Sequence, residues 1–241
     1  MDIRTMIMDM EKAIVIDFHA HILPELDHGC GSVSMAQKQL ELAAKAGVDM
    51  VVATSHFYPH LDTVPGFVQA RKEAYDRLLE ESLAIKNMPE LLLGAEVLAC
   101  KGMERMEGLE QLCVEGTKVL LLEMPFTKQW EKPLVDSVCK LAKKFQVILA
   151  HADRYSVDSV QELMEAGCLV QLNADAVCSF KKRRLCKKYL QTGAVAALGS
   201  DIHGIKTGYR KFIKAQKVLG KSGEHVMKKT KELCRKAEAQ A

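Results

Sequence analysis

Seven short runs rich in Val, Ile and Leu recur along this chain, and between them apolar residues fall at helical spacing. The runs are residues 13–18, 50–54, 91–96, 118–123, 146–151, 168–173 and 195–200. Each is apolar along most of its length, the pattern of parallel strands covered on both faces. One helix is expected to start at Ser32 or Ser34 and stop at Gly47. A second is expected over residues 67–86, with Phe67, Ala70, Ala74, Leu78 and Ile85 on its apolar stripe. A third follows Ser156 and ends at Gly167. Repeated strand–helix units in a chain of 241 residues predict a single α/β domain over residues 1–241, a parallel barrel of seven strands. An open doubly wound sheet is the weaker alternative, because no Gly-rich phosphate loop follows the first run.

Composition narrows the function classes. At 48% hydrophobic and 27% charged, the chain can bury a large core, which excludes disorder and a disulfide-stapled miniprotein as the main state. Aromatics make up 5% with a single Trp, which argues against base- or sugar-stacking platforms. The net charge of +3 is too small to imply a nucleic acid. No apolar run approaches the length of a transmembrane segment, and residues 1–12 lack the apolar core of a secretory signal. The eight cysteines form no C-x-x-C pair and read as reduced thiols of a cytoplasmic protein. Charge is unevenly spread. Residues 205–241, a basic helical part, hold eleven Lys/Arg against three Asp/Glu, a net of +8, which leaves −5 on residues 1–204. Lys181, Lys182, Arg183, Arg184, Lys187 and Lys188 form a second basic cluster. Both are read as solvated helix faces, or as a docking surface for an acidic partner or an anionic membrane face.

Polar residues gather where the expected strands end. His19 and His21 close the first, His56 follows the second, Glu96 ends the third and Glu123 the fourth. His151 ends the fifth, Asp201 and His203 follow the seventh, and His28 lies in the loop after the first. In a parallel barrel these positions share the C-terminal rim, where barrel enzymes build their sites. Nine N and O donors on one rim, three of them carboxylates, need cations among them. His19 and His21 share a strand face, so H-x-H is a ready chelate. The donor set suits Mn, Fe or Zn, or Mg, and is large enough for three divalent ions. Three such ions against three carboxylates leave a pocket suited to a multiply charged anion such as phosphate. Arg154, three residues past His151, reaches the same mouth as a phosphate fork.

These residues also carry a family resemblance. The strings IDFHAHILPELDHG, VVATSH, GAEV, LLLEMPF, LAHADRY and LGSDIHG, running from Ile16 to His203, resemble the polymerase-and-histidinol-phosphatase (PHP) superfamily. Within it they resemble the manganese-dependent protein-tyrosine phosphatases of Gram-positive capsule and exopolysaccharide operons. The resemblance implies a distorted seven-stranded α/β barrel. It also implies that His19, His21, Glu96 and Asp201 hold a first metal, that a bridging Glu96 with Glu123 and His151 holds a second, and that His28, His56 and His203 hold a third. Arg154 would contact phosphate, and the substrate would be phosphotyrosine on a bacterial tyrosine autokinase. The chain departs from the family at four places. The D-D-G loop is Asp27-His28-Gly29; A-T-P-H-H has Ser55 and Phe57 in place of its Pro and second His; and A-H-P-E-R reads Ala150-His151-Ala152-Asp153-Arg154. The Arg expected five residues past the last His is Gly208, and Arg210 is the substitute two residues on.

The expected chemistry is in-line attack on phosphorus by a metal-bound hydroxide, with Asp201 or a histidine protonating the leaving oxygen. Three other readings compete. One is a PHP phosphatase of a small phosphomonoester such as histidinol phosphate. Another is an amidohydrolase-type barrel, disfavoured because Glu123 stands where that class carries a modified Lys. The third is a catalytically weak metal-binding module that engages a partner.

Overall fold

The computed structural model describes residues 14–206 and 208–235. The first thirteen residues, Thr207 and residues 236–241 lie outside the described residues, so the reading of residues 1–12, Ala13 of the first run and the end of the basic C-terminal part are not covered.

All strand pairings are parallel. β1 (Ile16–His21), β2 (Met50–Ala53), β4 (Glu90–Leu93) and β10 (Ile202–His203) form one sheet in the order β10-β1-β2-β4. The other sheet runs β3 (His56–Phe57), β5 (Glu96–Leu98), β6 (Val119–Glu123), β7 (Gln146–Leu149), β8 (Leu169–Asn173) and β9 (Val195–Gly199). Three of the expected strands are each broken in two. The breaks fall at Thr54 and Ser55, at Gly94 and Ala95, and at Ser200 and Asp201. Each broken strand starts in one sheet and resumes in the other. Among the described residues the hydrogen-bonded ladder is therefore two sheets of an α/β fold. The first strand also begins three residues later than the apolar run suggests, and it runs through both histidines. β1 and β6 are buried along their whole length, as strands covered on both faces must be.

The helices follow their caps. α1 (Val33–Lys45) is capped by Ser32, whose hydroxyl accepts from the Met35 amide, and buries Ala36, Leu40 and Ala43. α2 (Val64–Ser82) starts three residues before the expected position, because Thr63 caps it and Pro65 suits its first turn. Phe67, Ala74 and Leu78 are buried as expected, but Arg71 is buried and Ala70 exposed, and Ile85 lies past the helix end. Arg71 donates to the Gly94 and Gln111 carbonyls, both at 2.8 Å, and so holds the break between β4 and β5. No α-helix follows β5. Two 3-10 turns, Met103–Arg105 and Leu109–Leu112, take that place.

α3 (Lys132–Leu141) precedes β7, and α4 (Val157–Glu165) is capped by Ser156 as expected. α5 (Ala174–Cys178) and α6 (Arg183–Gln191) lie between β8 and β9. The basic C-terminal part is not a loose tail: α7 (Arg210–Leu219) packs on α5, and α8 (Lys221–Cys234) packs on β9 and β1. α8 buries Val226, Met227 and Thr230, and the Thr230 hydroxyl donates to the Ala196 carbonyl at 2.8 Å. Of its lysines, Lys221 and Lys228 are exposed, whereas Lys229 donates to the Gly193 carbonyl at 2.8 Å.

Candidate metal centre

Strand register brings the polar residues together. The pairing of β3 with β5 sets His56 beside Glu96, and that of β1 with β10 sets His21 beside His203. Glu96 and His56 begin their strand segments, because the chain re-enters the second sheet at those residues. His151 and Asp201 follow β7 and β9 with φ of 34° and 51°. Such backbone is costly for a residue with a side chain and is found where the surroundings enforce it. Here the Asp201 amide donates to the His19 carbonyl at 2.8 Å, and the His151 amide to Gln171 Oε1 at 2.6 Å.

Glu96 is the hub. Its Oε2 lies 3.1 Å from His19 Nε2, 3.3 Å from His21 Nε2 and 3.1 Å from His56 Nδ1, while its Oε1 lies 2.8 Å from His151 Nε2. Glu123 lies 3.8 Å from His56 Nδ1 and 3.5 Å from His151 Nε2. Asp201 Oδ1 lies 3.7 Å, 3.5 Å and 3.4 Å from His19, His21 and His203. The His28 ring is exposed and stacks on His56 and His203 at 4.8 Å and 4.9 Å. All nine residues read from the sequence thus gather in one place, His28 at its outer edge. Three groups converge closely enough for an ion: His21, His56 and His203; His19, His21 and Asp201; and His56, Glu96 and Glu123.

The donor set fits divalent cations on direct grounds. Glu96 Oε2 and His56 Nδ1 are buried and face each other, yet neither makes a hydrogen bond. His19 Nε2 and His21 Nε2 meet tip to tip at 3.1 Å, so at most one can carry a proton toward the other. Burial opposes charge on Glu96, but the charge of His19, the bond from His151 and the close approach of His19 and His21 outweigh it and hold the carboxyl well below its usual range. For His151 too burial opposes the cation, but bonds to Glu123 and Glu96 and the charge of Glu96 lift its pKa to about 9. Burial pushes His56 down to about 4. Imidazoles with opposite protonation preferences packed on shared carboxylates are a donor set that suits divalent cations.

An outer ring of residues, absent from the sequence reading of the site, orients these donors. Asp27 accepts from His21 Nδ1 at 2.8 Å and from the Gly29 and His56 amides at 2.8 Å and 2.9 Å. Gln171 Oε1 lies 3.1 Å from His19 Nδ1; its Nε2 donates to Asn173, and Asn173 Nδ2 donates to Asp201, both at 2.8 Å. The Tyr155 oxygen accepts from the Met124 amide at 3.0 Å and lies 3.2 Å from His151 Nδ1. Partners of this kind set ring orientation and tautomer in metal sites. Asp27 sits inside the quoted D-H-G string and Tyr155 beside Arg154, but nothing local marks them as supports.

Arg154 hydrogen-bonds Asp201 at the mouth. Beside them is a cavity of about 160 Å³ lined by Arg154, Asn173, Asp201, Gly208 and Lys211. Arg210, the expected substitute for the missing Arg, is exposed and does not line it; the helix turn at the start of α7 presents Lys211 instead. Lys182 of the second basic cluster is also engaged, donating to Asp153 at 2.8 Å.

The sequence profile of the family described as capsular polysaccharide synthesis, CpsB/CapC, matches residues 15–239. The chain belongs to the CpsB/CapC family. It is 24% identical to the tyrosine-protein phosphatase CpsB of Streptococcus agalactiae serotype V, over 85% of this chain and 89% of that protein. It is 25% identical to CpsB of Streptococcus pneumoniae, over 91% and 94% of the two chains. Tyrosine-protein phosphatase YwqE of Bacillus subtilis is 24% identical over 80% of this chain and 79% of its own. Among solved structures, one from a study of B. subtilis YwqE and S. pneumoniae CpsB, described there as unique metal-dependent tyrosine phosphatases, matches with a TM-score of 0.77 and 20% identity, covering 92% of this chain and 95% of that one. A phosphotriesterase homology protein of Escherichia coli matches with a TM-score of 0.54 and 12% identity, over 94% of this chain and 100% of that one. Both structures are alike in fold.

Proposed function

We propose that this CpsB/CapC chain is a metal-dependent phosphatase that hydrolyses phosphotyrosine on a protein, a tyrosine autokinase of polysaccharide synthesis. The observation that carries the reading is Glu96, with imidazole nitrogens of four histidines within 3.3 Å of its two oxygens. The names of the relatives favour this reading over a small-phosphomonoester phosphatase or a silent binding module.

The nine donors would hold three divalent ions, with Mn the expected metal. His19, His21, Glu96 and Asp201 would hold one, Glu96, Glu123 and His151 another, and His28, His56 and His203 the third. When bound, the ions would supply Lewis acidity and bring the pKa of water to about 7. The chain's own residues do the rest. Arg154 exchanges Asp201 for the phosphoryl oxygens of the substrate, and Lys211 adds a second cation from the cavity wall. For Asp201 burial opposes ionisation, but the charge of His19, the bond to His21 and the charge of Arg154 hold it well below the usual carboxylate range. Asp201 thus acts as ligand and as anchor for Arg154. A phenolic leaving group of pKa about 10 needs little help from a proton donor.

The same reading takes residues 1–241 as one distorted seven-stranded barrel, supported by the three broken strands that pass between the sheets. It places the chain in the cytoplasm, supported by eight unpaired cysteines. No described helix is long and apolar enough to cross a membrane. The lysines of α7 and α8 are the surface on which an acidic protein partner would dock.

The test compares phosphotyrosine peptides with small phosphomonoesters, on protein whose metal content is measured on the same sample. Glu96→Ala and His151→Ala should reduce metal-dependent turnover to background while thermal unfolding stays cooperative. Full turnover in either variant refutes the assignment.

A further inference from the structure

We propose that Phe126 is an aryl-recognition platform, whose open face stacks on the phenyl ring of a phosphate ester held at Arg154. This rests on the phosphatase reading and adds the group that selects aryl over alkyl esters. Phe126 lies three residues past Glu123 and is 61% exposed, although it stands against the most polar cluster of the fold. Its inner face stacks on His151 at 5.6 Å and 24° between planes, and on Tyr155 at 5.7 Å and 29°. The Arg154 guanidinium carbon is 6.0 Å from the ring centroid. The ring therefore touches a candidate ligand and neighbours the phosphate-binding arginine, with most of its surface still exposed.

Its exposure does not come from a loose loop. Trp130 Nε1 donates to the Pro125 carbonyl at 3.0 Å, and the Trp130 ring packs edge-on against Tyr155 at 5.3 Å. The Tyr155 hydroxyl in turn accepts from the Met124 amide. The residues just before Phe126 are pinned, so the ring is held ready, with little ordering entropy to lose on binding. The other described phenylalanine that is largely exposed, Phe180, stacks on no described histidine; Arg183 lies 5.3 Å from its ring centroid. An aryl ring begins one oxygen away from phosphorus. A phosphate at Arg154 thus carries a phenyl ring to the face of Phe126, whereas an alkyl ester has no face to offer. Offset stacking of two rings contributes beyond the area it buries.

Trp130 is the only tryptophan of the chain, and its contact with the Phe126 loop makes its fluorescence a direct reporter. The metal-loaded protein is titrated with benzylphosphonate, which keeps one atom between phosphorus and the phenyl ring, and with ethylphosphonate, neither of which it can hydrolyse. The expected result is tighter binding of benzylphosphonate, with the ratio of the two affinities falling about three- to tenfold in Phe126→Ala and Phe126→Leu and returning in Phe126→Tyr. Equal affinity of the two phosphonates for the unaltered protein, or an unchanged ratio in Phe126→Ala, overturns the platform even if phosphotyrosine is hydrolysed. If the unaltered protein turns over no phosphoester yet shows the phenyl preference and its loss, the phosphatase reading fails and the platform stands.

Discussion

At the scale of single residues, the centre depends as much on its supports as on its donors. Asp27 touches two candidate ligands at once, His21 through its ring and His56 through its amide. Asp27→Asn would turn one accepting oxygen into an NH₂ facing a donor. Metal affinity should drop by about 10- to 100-fold, as for other outer partners of metal-bound histidines, and chelator competition would measure it. Unchanged affinity would show Asp27 to be a bystander. His151 sets the pH dependence. Its pKa is about 9 in the metal-free chain, above the usual 6.5. A raised folded pKa stabilises the metal-free protein fully below pH 6.5, and that contribution is lost as pH climbs through about 9. An ion must displace the same proton, so apparent metal affinity should rise from pH 6.5 to 9. Isothermal titration in two buffers of different ionisation heat would count the protons released; a flat profile would contradict the account.

At the scale of elements, the breaks in the strands aim the site. A continuous strand alternates its side chains between two faces. A break lets the chain change sheet and turn consecutive polar residues toward one point. The close approach of β9 to β1 tolerates only glycine at position 199. A Cβ on Gly199 would fall 2.5 Å from His19 Cβ and 2.7 Å from Gln171 Nε2. Gly199→Ala should therefore displace both His19 and the Gln171–Asn173 relay to Asp201. Stoichiometric metal by elemental analysis of this variant, with unaltered thermal stability, would show that the contact relaxes without cost. Helix starts were readable at the serine caps Ser32 and Ser156, but not at Thr63, which starts α2 three residues early. The α2 stripe held at Phe67, Ala74 and Leu78, but Arg71, polar in sequence, takes the inner place expected for Ala70 through its bonds to two carbonyls.

At the scale of the whole molecule, the basic C-terminal part closes the fold. α8 covers β9 and β1, with Met227 Sδ 3.4 Å from the Ile16 amide and Thr230 on Ala196. Ending the chain at Gly220 would open the apolar base of β1, directly beneath the two histidines. Each large apolar side chain uncovered costs about 1.5–3 kcal/mol, so the truncated chain should lose cooperative unfolding in differential scanning calorimetry. A truncated chain that melts like the full one would mark α8 as an accessory. Charge counting alone left this segment as either a solvated face or a docking surface. Its lysines suit both, and only its buried apolar side shows that it is structural.

The sequence alone determined the parallel α/β plan, the H-x-H pair and which nine polar residues gather at one place, because the periods of strand and helix and the residues at strand ends are local properties. Tertiary structure alone decided that Asp27, Gln171 and Tyr155 contact the rings, and that Lys211 rather than Arg210 faces the cavity beside Arg154. Those facts depend on register between segments up to some two hundred residues apart, and on which side a helix turn presents. Neither is written in any local stretch of the chain.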